Sequence, residues 1–334
     1  MRPFKYNKIT DIGSAISTIS ANQASRFLAG GTNLLDLMKE DVERPNLLVD
    51  ITSIQLNSII SIGSGINKGG VAIGALGKNT AAANHPLIRR HFPVLSKAIL
   101  AGASVQIRNM ATNGGNLNQR TRCPYFYEVS MPCNKREPGT GCGAMEGFNR
   151  MHAIFGWSEQ CVAVHPSDMC VALAALEATV KVQGADGNKR SIPFTEYHRL
   201  PGDKPQKDNN LEHGELITSI ELPKNNFTKS YYLKVRDRAS YAFALISVAA
   251  LLETEGDTVK QARIALGGVS HKPWRALEAE NFLTGKPATE ANFRAAAEME
   301  MKHAKPLEHN AFKVELGIRA VTLALVKAMK NGNA

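Results

Sequence analysis

A chain of 334 residues has room for two or three modules, since single domains usually run to about 100–200 residues. Its hydrophobic share of 43% and charged share of 21% are those of an ordinary globular protein, and no apolar run approaches the ~20 residues needed to cross a bilayer, so no membrane insertion is expected. A net charge of +10 invites a nucleic-acid reading. Lys and Arg are nevertheless scattered among Asp and Glu with no nucleic-acid motif, so no nucleic-acid partner is expected, and a basic surface that docks an acidic partner, or simply keeps the chain soluble, is the better account.

Met1-Arg2-Pro3-Phe4-Lys5-Tyr6 lacks an apolar h-region and a small-residue cleavage site, so no secretory signal is expected there. Export alongside a signal-bearing partner stays open. Next, Arg26-Phe27-Leu28 predicts a strand, Gly30-Gly31 a turn, Leu34, Leu35, Leu37 and Met38 an apolar helix, and Leu47 to Ile51 a second strand. This β-α-β unit makes a first subdomain, 1–52. A second, 53–225, has a strand at Val71 to Gly74 and a helix through Leu95, Ile99 and Leu100. Its hairpin turns at Asp186-Gly187 between Thr179 to Val182 and Arg190 to Ile192. Inside it, the stretch from about 120 to 161 is rich in Pro and Gly and reads as a long loop, which needs a functional reason or an internal staple. The remainder, 226–334, reads as a separate α+β domain. Apolar strands at Leu245 to Leu252 and Ala262 to Leu266 flank Glu255-Gly256-Asp257, and Phe312 to Met329 has helical spacing.

Two glycine loops carry the first chemical signal. Ala29-Gly30-Gly31-Thr32-Asn33-Leu34 closes a strand and opens a helix, where glycine lets a backbone approach a pyrophosphate and free amides donate to it. Thr112-Asn113-Gly114-Gly115-Asn116 is a second such loop, adding Thr and Asn side chains that hydrogen-bond. Neither is a Rossmann or P-loop pattern, and a Gly-Gly turn alone is often only a turn.

All five cysteines, Cys123, Cys133, Cys142, Cys161 and Cys170, fall in one stretch with spacing C-x9-C-x8-C-x18-C-x8-C. Thiolates suit zinc or iron–sulfur centres, and four would staple the Gly/Pro loop. Structural zinc usually takes close pairs, C-x2-4-C, which are absent here; buried free thiols are the bland alternative. Cys170 lies in an apolar helical run and is set aside as a core residue, leaving Cys123, Cys133, Cys142 and Cys161 as ligands. His152 and His165 read as solvent-facing or hydrogen-bonded. No nucleophilic or acid–base set stands out, so no catalytic residue is assigned and the hard chemistry falls to cofactors.

The ordered set of Ala29-Gly30-Gly31-Thr32, Gln106-Ile107-Arg108-Asn109 with Gly114-Gly115-Asn116, Pro166-Ser167-Asp168, and Ala265-Leu266-Gly267-Gly268-Val269 with Lys272-Pro273-Trp274-Arg275 spans nearly the whole chain. It resembles the FAD-binding medium subunit of the molybdenum hydroxylases, the xanthine dehydrogenase and carbon monoxide dehydrogenase family. Within it, the flavoprotein subunit of bacterial aldehyde oxidoreductases is the nearest likeness. The resemblance implies an α+β chain with a two-subdomain FAD-binding fold of the vanillyl-alcohol oxidase type and a small C-terminal domain of the carbon monoxide dehydrogenase flavoprotein type. FAD would lie between the subdomains. Arg26, Phe27, Leu28, Ala29, Gly30, Gly31, Thr32, Asn33 and Leu34, with Thr112, Gly114, Gly115 and Asn116, would hold its diphosphate and adenosine. Asp168 would meet the ribityl chain, and Ile217 and Lys234 the flavin ring. Bland alternatives are a helix N-cap for Asp168 and a strand core position for Ile217.

Arg122-Cys123-Pro124-Tyr125-Phe126, Pro132-Cys133-Asn134-Lys135-Arg136 and Gly141-Cys142-Gly143 resemble the insert that carries a [4Fe–4S] cluster in the aldehyde oxidoreductase branch. Also implied are a large partner with the molybdenum cofactor, a small partner with two [2Fe–2S] clusters, and an external electron acceptor. A twin-arginine signal on the small partner would carry the complex to the periplasm, with the cytoplasm as the alternative. The rival readings are a self-sufficient FAD oxidoreductase on the same fold and a non-catalytic metal-stapled sensor.

Overall fold

In the computed structural model, which describes residues 1–331, the chain opens with a small parallel sheet of β1 (Lys5–Lys8), β2 (Ser25–Leu28) and β3 (Leu47–Asp50), ordered β1-β3-β2. Parallel neighbours need a crossover, and helices Ile12–Ser20 and Leu34–Lys39 provide it. Asp11 starts the first helix by accepting from Ser14 N at 2.8 Å. That helix and β1 precede the β-α-β unit read from the sequence. β1 is exposed along its length and shows no apolar alternation, which is why its pattern announces no strand.

The second sheet is antiparallel: β4 (Ile59–Ser61), β5 (Val71–Gly74), β6 (Thr179–Gln183), β7 (Lys189–Pro193) and β8 (Leu216–Leu222) lie in the order β4-β5-β8-β6-β7. The β6–β7 hairpin turns at Asp186-Gly187, both at positive φ, as the sequence expects. Helices Pro93–Ala101 and Asp168–Ala175 share this sheet's core; every residue of the second is buried, and after Asp168 it is apolar all round. Cys170 is one of them, a core thiol as expected.

The third sheet orders β12 (Trp274–Arg275), β11 (Thr258–Gly267), β10 (Ile246–Glu255) and β9 (Lys229–Val235) with antiparallel pairings. Successive side chains of a strand point to opposite faces. In β10, Ala249 and Leu251 enter the core of the second sheet, while Ile246, Val248, Ala250 and Leu252 enter that of the C-terminal helices. Burial on both faces explains why this strand reads as an unbroken apolar run. Helices Leu277–Leu283, Glu290–Met301 and Phe312–Asn331 cover the outer face; only the last was legible from periodicity.

Residues 120–161 differ from the expected plain loop. Two helical turns, Pro124–Tyr127 and Gly143–Glu146, punctuate them, and side chains staple the rest. Arg136 donates to the carbonyls of Tyr125, Phe126, Val129 and Met131, and Asn134 Oδ1 accepts from Gly139 N and Gly141 N. Buried backbone groups need such partners.

Candidate functional site: a dinucleotide cleft beside a four-thiol cavity

A cleft of about 1470 Å³ runs between the first two sheets. That exceeds the ~300–1,000 Å³ of an ordinary small-molecule pocket and suits an extended ligand. Of the segment Arg26 to Leu34, every residue but Leu28 lines it, as do Thr112, Gly114, Gly115, Asn116, Asp168 and Ile217. Ile217 is also a core residue of β8, as its strand-core reading expects.

The two glycine loops touch. A Cβ on Gly30 would come within 2.3 Å of Met110 O, so only glycine permits this approach, and Gly31 sits at φ +70°. Their donors differ. Among the described residues, the amides of Gly30, Gly31, Thr32 and Asn33 donate to no protein group, whereas those of Asn113, Gly114 and Gly115 go to Gly77 O, Ala75 O and Thr112 Oγ1. Free anion-binding donors therefore come from the first loop, and the second shapes the wall. Asn33 adds a buried side-chain nitrogen, Nδ2, with no hydrogen-bond partner among the described residues, a group that fits an incoming phosphate or ribose oxygen.

Asp168 is the first residue of its helix; the N-cap is Ser167, whose Oγ accepts from Cys170 N at 3.1 Å. This corrects the cap alternative for Asp168. Its carboxylate instead accepts from Tyr232 Oη at 2.7 Å and Lys234 Nζ at 2.8 Å. Lys234 lies behind Asp168, also donating to Ala101 O, and does not line the cleft. Among the described residues it reaches the site only through Asp168.

A second ionic centre joins three segments. Arg120 donates to Glu43 Oε1 at 2.6 Å and Asp208 Oδ2 at 2.7 Å, and Lys135 donates to Asp208 Oδ1 at 2.5 Å. Glu43, Arg120 and Asp208 line the cleft, and Lys135 belongs to the cysteine-bearing insert. Burial opposes the Asp208 carboxylate, but the charges of Arg120 and Lys135 outweigh it and hold the group well below the usual carboxylate range.

Cys123, Cys133, Cys142 and Cys161 line one narrow cavity, walled also by Tyr125 and Phe126. Cys133 and Cys142 face each other across an isolated bridge, and Cys123 and Cys142 each begin a helical turn. No three of these sulfurs lie within 4.8 Å of one another among the described residues. A single zinc would draw tetrahedral sulfurs to roughly 3.8 Å apart, given Zn–S near 2.3 Å. Four thiols on one cavity are a donor set that suits zinc or an iron–sulfur centre. His152 is buried rather than solvent-facing, with Nε2 at 3.1 Å from Cys123 Sγ. His165 corrects its expectation: it is buried with Nε2 unpartnered.

The two sites adjoin. A cavity of about 100 Å³ includes Cys123 and His152 in its wall and shares Arg122, Met151, Pro166, Ser167, Asp168 and Phe243 with the large cleft. Sequence reasoning missed the two loops that complete the cleft, Gln206 to Leu216 and Asp237 to Phe243. Their one signal was polar, aperiodic sequence between strands.

Residues 2–225 match the family model described as the FAD binding domain in molybdopterin dehydrogenase, and 231–326 match the CO dehydrogenase flavoprotein C-terminal domain. The aldehyde oxidoreductase FAD-binding subunit PaoB of Escherichia coli (strain K12) is 45% identical over 98% of this chain and 99% of its own length. The glyceraldehyde dehydrogenase medium chain of Sulfolobus acidocaldarius is 29% identical over 85% of this chain and 82% of its own. Among solved structures, carbon monoxide dehydrogenase from Hydrogenophaga pseudoflava superposes with TM-score 0.77 at 25% identity, covering 99% of each chain.

Proposed function

The chain belongs to the FAD-binding medium subunits of the molybdenum hydroxylases, and from that premise we propose that it carries FAD and one [4Fe–4S] cluster in a heterotrimeric aldehyde oxidoreductase. In this role it passes electrons from aldehyde oxidation to an external acceptor. The substrate is oxidised to a carboxylic acid on a large molybdenum-cofactor subunit, and a small subunit with two [2Fe–2S] clusters delivers the electrons. Two relatives whose names specify aldehyde chemistry support that substrate class.

FAD, when bound, supplies the redox chemistry. The chain's residues bind and orient. Free amides of Gly30 to Asn33 donate to the diphosphate. Asp168, held in place by Lys234 and Tyr232, would accept from a ribityl hydroxyl. Ile217 offers apolar wall to the ring. Cys123, Cys133, Cys142 and Cys161 ligate the cluster, and Tyr125 and Phe126 keep water from it.

One observation carries the relay reading: the four-thiol cavity and the FAD cleft share the walls of a single intervening cavity, so two redox groups would sit side by side. The compartment that accords with the resemblance is the periplasm, reached by co-export with a signal-bearing small subunit; fractionation of cells expressing all three subunits tests it.

The decisive experiment is an anaerobic visible spectrum of the purified chain, with flavin, iron and zinc quantified on the same sample. Near one FAD and four iron per chain is expected. Zinc without flavin would overturn the reading in favour of a stapled sensor. Aldehyde turnover by the chain alone would favour a self-sufficient oxidoreductase.

A further inference from the structure

His165, Cys170 and His198 form a second group of soft donors, separate from the thiols of the insert. One ring nitrogen of each histidine and the Cys170 sulfur lie within 4.8 Å of one another, and the two rings approach with centroids 4.2 Å apart. Three different segments meet here. His165 precedes helix Asp168–Ala175, Cys170 lies within it, and His198 follows the helical turn Phe194–Tyr197.

All three are buried, with exposures of 9%, 0% and 3%. Each ring keeps one buried nitrogen without a hydrogen-bond partner among the described residues, Nε2 of His165 and Nδ1 of His198. Such nitrogens are costly in a core unless something engages them. His198 shows what kind of group that is. Its Nε2 stands 2.8 Å from Leu117 O, and a carbonyl pairs only with an N–H, so the proton sits on Nε2 and Nδ1 holds a lone pair. A ring N–H anchored on a backbone carbonyl is how proteins orient a ligating histidine.

We propose that His165, Cys170 and His198 together bind one closed-shell soft cation, Cu+ or Zn2+, through two imidazole nitrogens and a thiolate. Thiolate and imidazole donors select these ions over Mg2+ or Ca2+. Binding exchanges the Cys170 S–H proton for the metal, and the proton leaves to solvent. With Cu+ and one thiolate the assembly is neutral, whereas Zn2+ leaves a net positive charge in an apolar core. Burial therefore favours Cu+. His165 also lines the cavity of about 100 Å³ between the two cofactor sites, which gives an ion a route to its ring. The site stands whether or not the insert holds iron, because it uses none of the same residues.

The test uses the cofactor-loaded protein, so that the insert cysteines are occupied. After anaerobic equilibration with Cu+ or Zn2+ and removal of loose metal, copper, zinc, iron and FAD are quantified per chain. One copper or zinc ion beyond the iron is expected, and anomalous diffraction at the two metal edges places it between His165 and His198. Losing even an outer partner of a metal site costs about 10–100-fold in affinity, so removing a ligand by Cys170→Ser or His198→Gln should cost at least that, with iron and FAD unchanged. Should His198→Gln fail to fold, the isosteric Cys170→Ser carries the comparison. Neither metal retained by the unaltered protein, or an ordered water bridging the two nitrogens, overturns the proposal.

Discussion

Lys234 Nζ and Asp168 Oδ2 stand 2.8 Å apart, with side-chain exposures of only 5% and 6%. Asp168 faces the cleft and Lys234 stands behind it, so the lysine acts on any ligand through the carboxylate. Removing one member of a buried ion pair strands the other and typically costs ~3–5 kcal/mol. Lys234→Met should therefore lower thermal stability and FAD retention together. Asp168→Asn with Lys234→Met should lose much less than the sum of the single losses, because the pair fails as a unit. Unfolding temperatures and flavin content of the three variants check this, and additive losses would refute the coupling.

Gly30 and Gly115 differ in how close their surroundings come. A Cβ at Gly30 meets the Met110 carbonyl at 2.3 Å, a backbone atom that cannot step aside, while one at Gly115 meets only the Thr112 side-chain oxygen, at 2.8 Å. Gly30→Ala should thus push the two loops apart and lose most bound FAD, and Gly115→Ala should retain more of it. Replacing both by Val should abolish retention. Flavin content after gel filtration reads all three, and a normally flavinylated double Val variant would rule out this site.

Where local pattern decides structure, the sequence was legible. The hairpin around Asp186-Gly187 alternates half-buried and buried residues along Thr179–Gln183, and the two glycine loops declare themselves because close backbone approach demands Gly. What stayed hidden depends on distant partners. β1 is a strand only because β3 pairs with it, and its own residues are exposed. Lys234 alternates normally along β9, and nothing in its neighbours reveals that Asp168, far away in the chain, occupies its ammonium. The unpartnered nitrogen of His165 is equally a tertiary fact.

Arg120, Asp208, Lys135 and Glu43 tie the insert to the cleft, and the depressed pKa of Asp208 makes that tie pH-dependent. A carboxylate held below its unfolded value of about 3.9 contributes stability that is fully present above that pH and lost as pH falls toward the folded value. Asp208→Asn should destabilise the protein by ~3 kcal/mol near neutrality, since it leaves Lys135 buried with a weakened partner. At about pH 3 the gap between variant and parent should narrow. Denaturant unfolding at both pH values measures it, and a gap that widened in acid would reverse the assigned sign.

Cys133 and Cys170 are both buried thiols, but only Cys133 faces the shared cavity of the insert. Cys133→Ala should lose the iron, whereas Cys170→Ala should keep it; the opposite iron contents would overturn the ligand set. His152 provides a finer test. Its Nε2 lies 3.1 Å from Cys123 Sγ. A metal-bound thiolate has no proton to give, so the ring must donate its N–H to the sulfur. Such a bond favours the more negative, reduced state of a cluster and raises its potential. His152→Leu should therefore retain full iron while shifting the reduction potential downward in an EPR-monitored titration. Because a purely structural histidine would leave the potential where it was, an unchanged value at full iron content would remove His152 from the electron path.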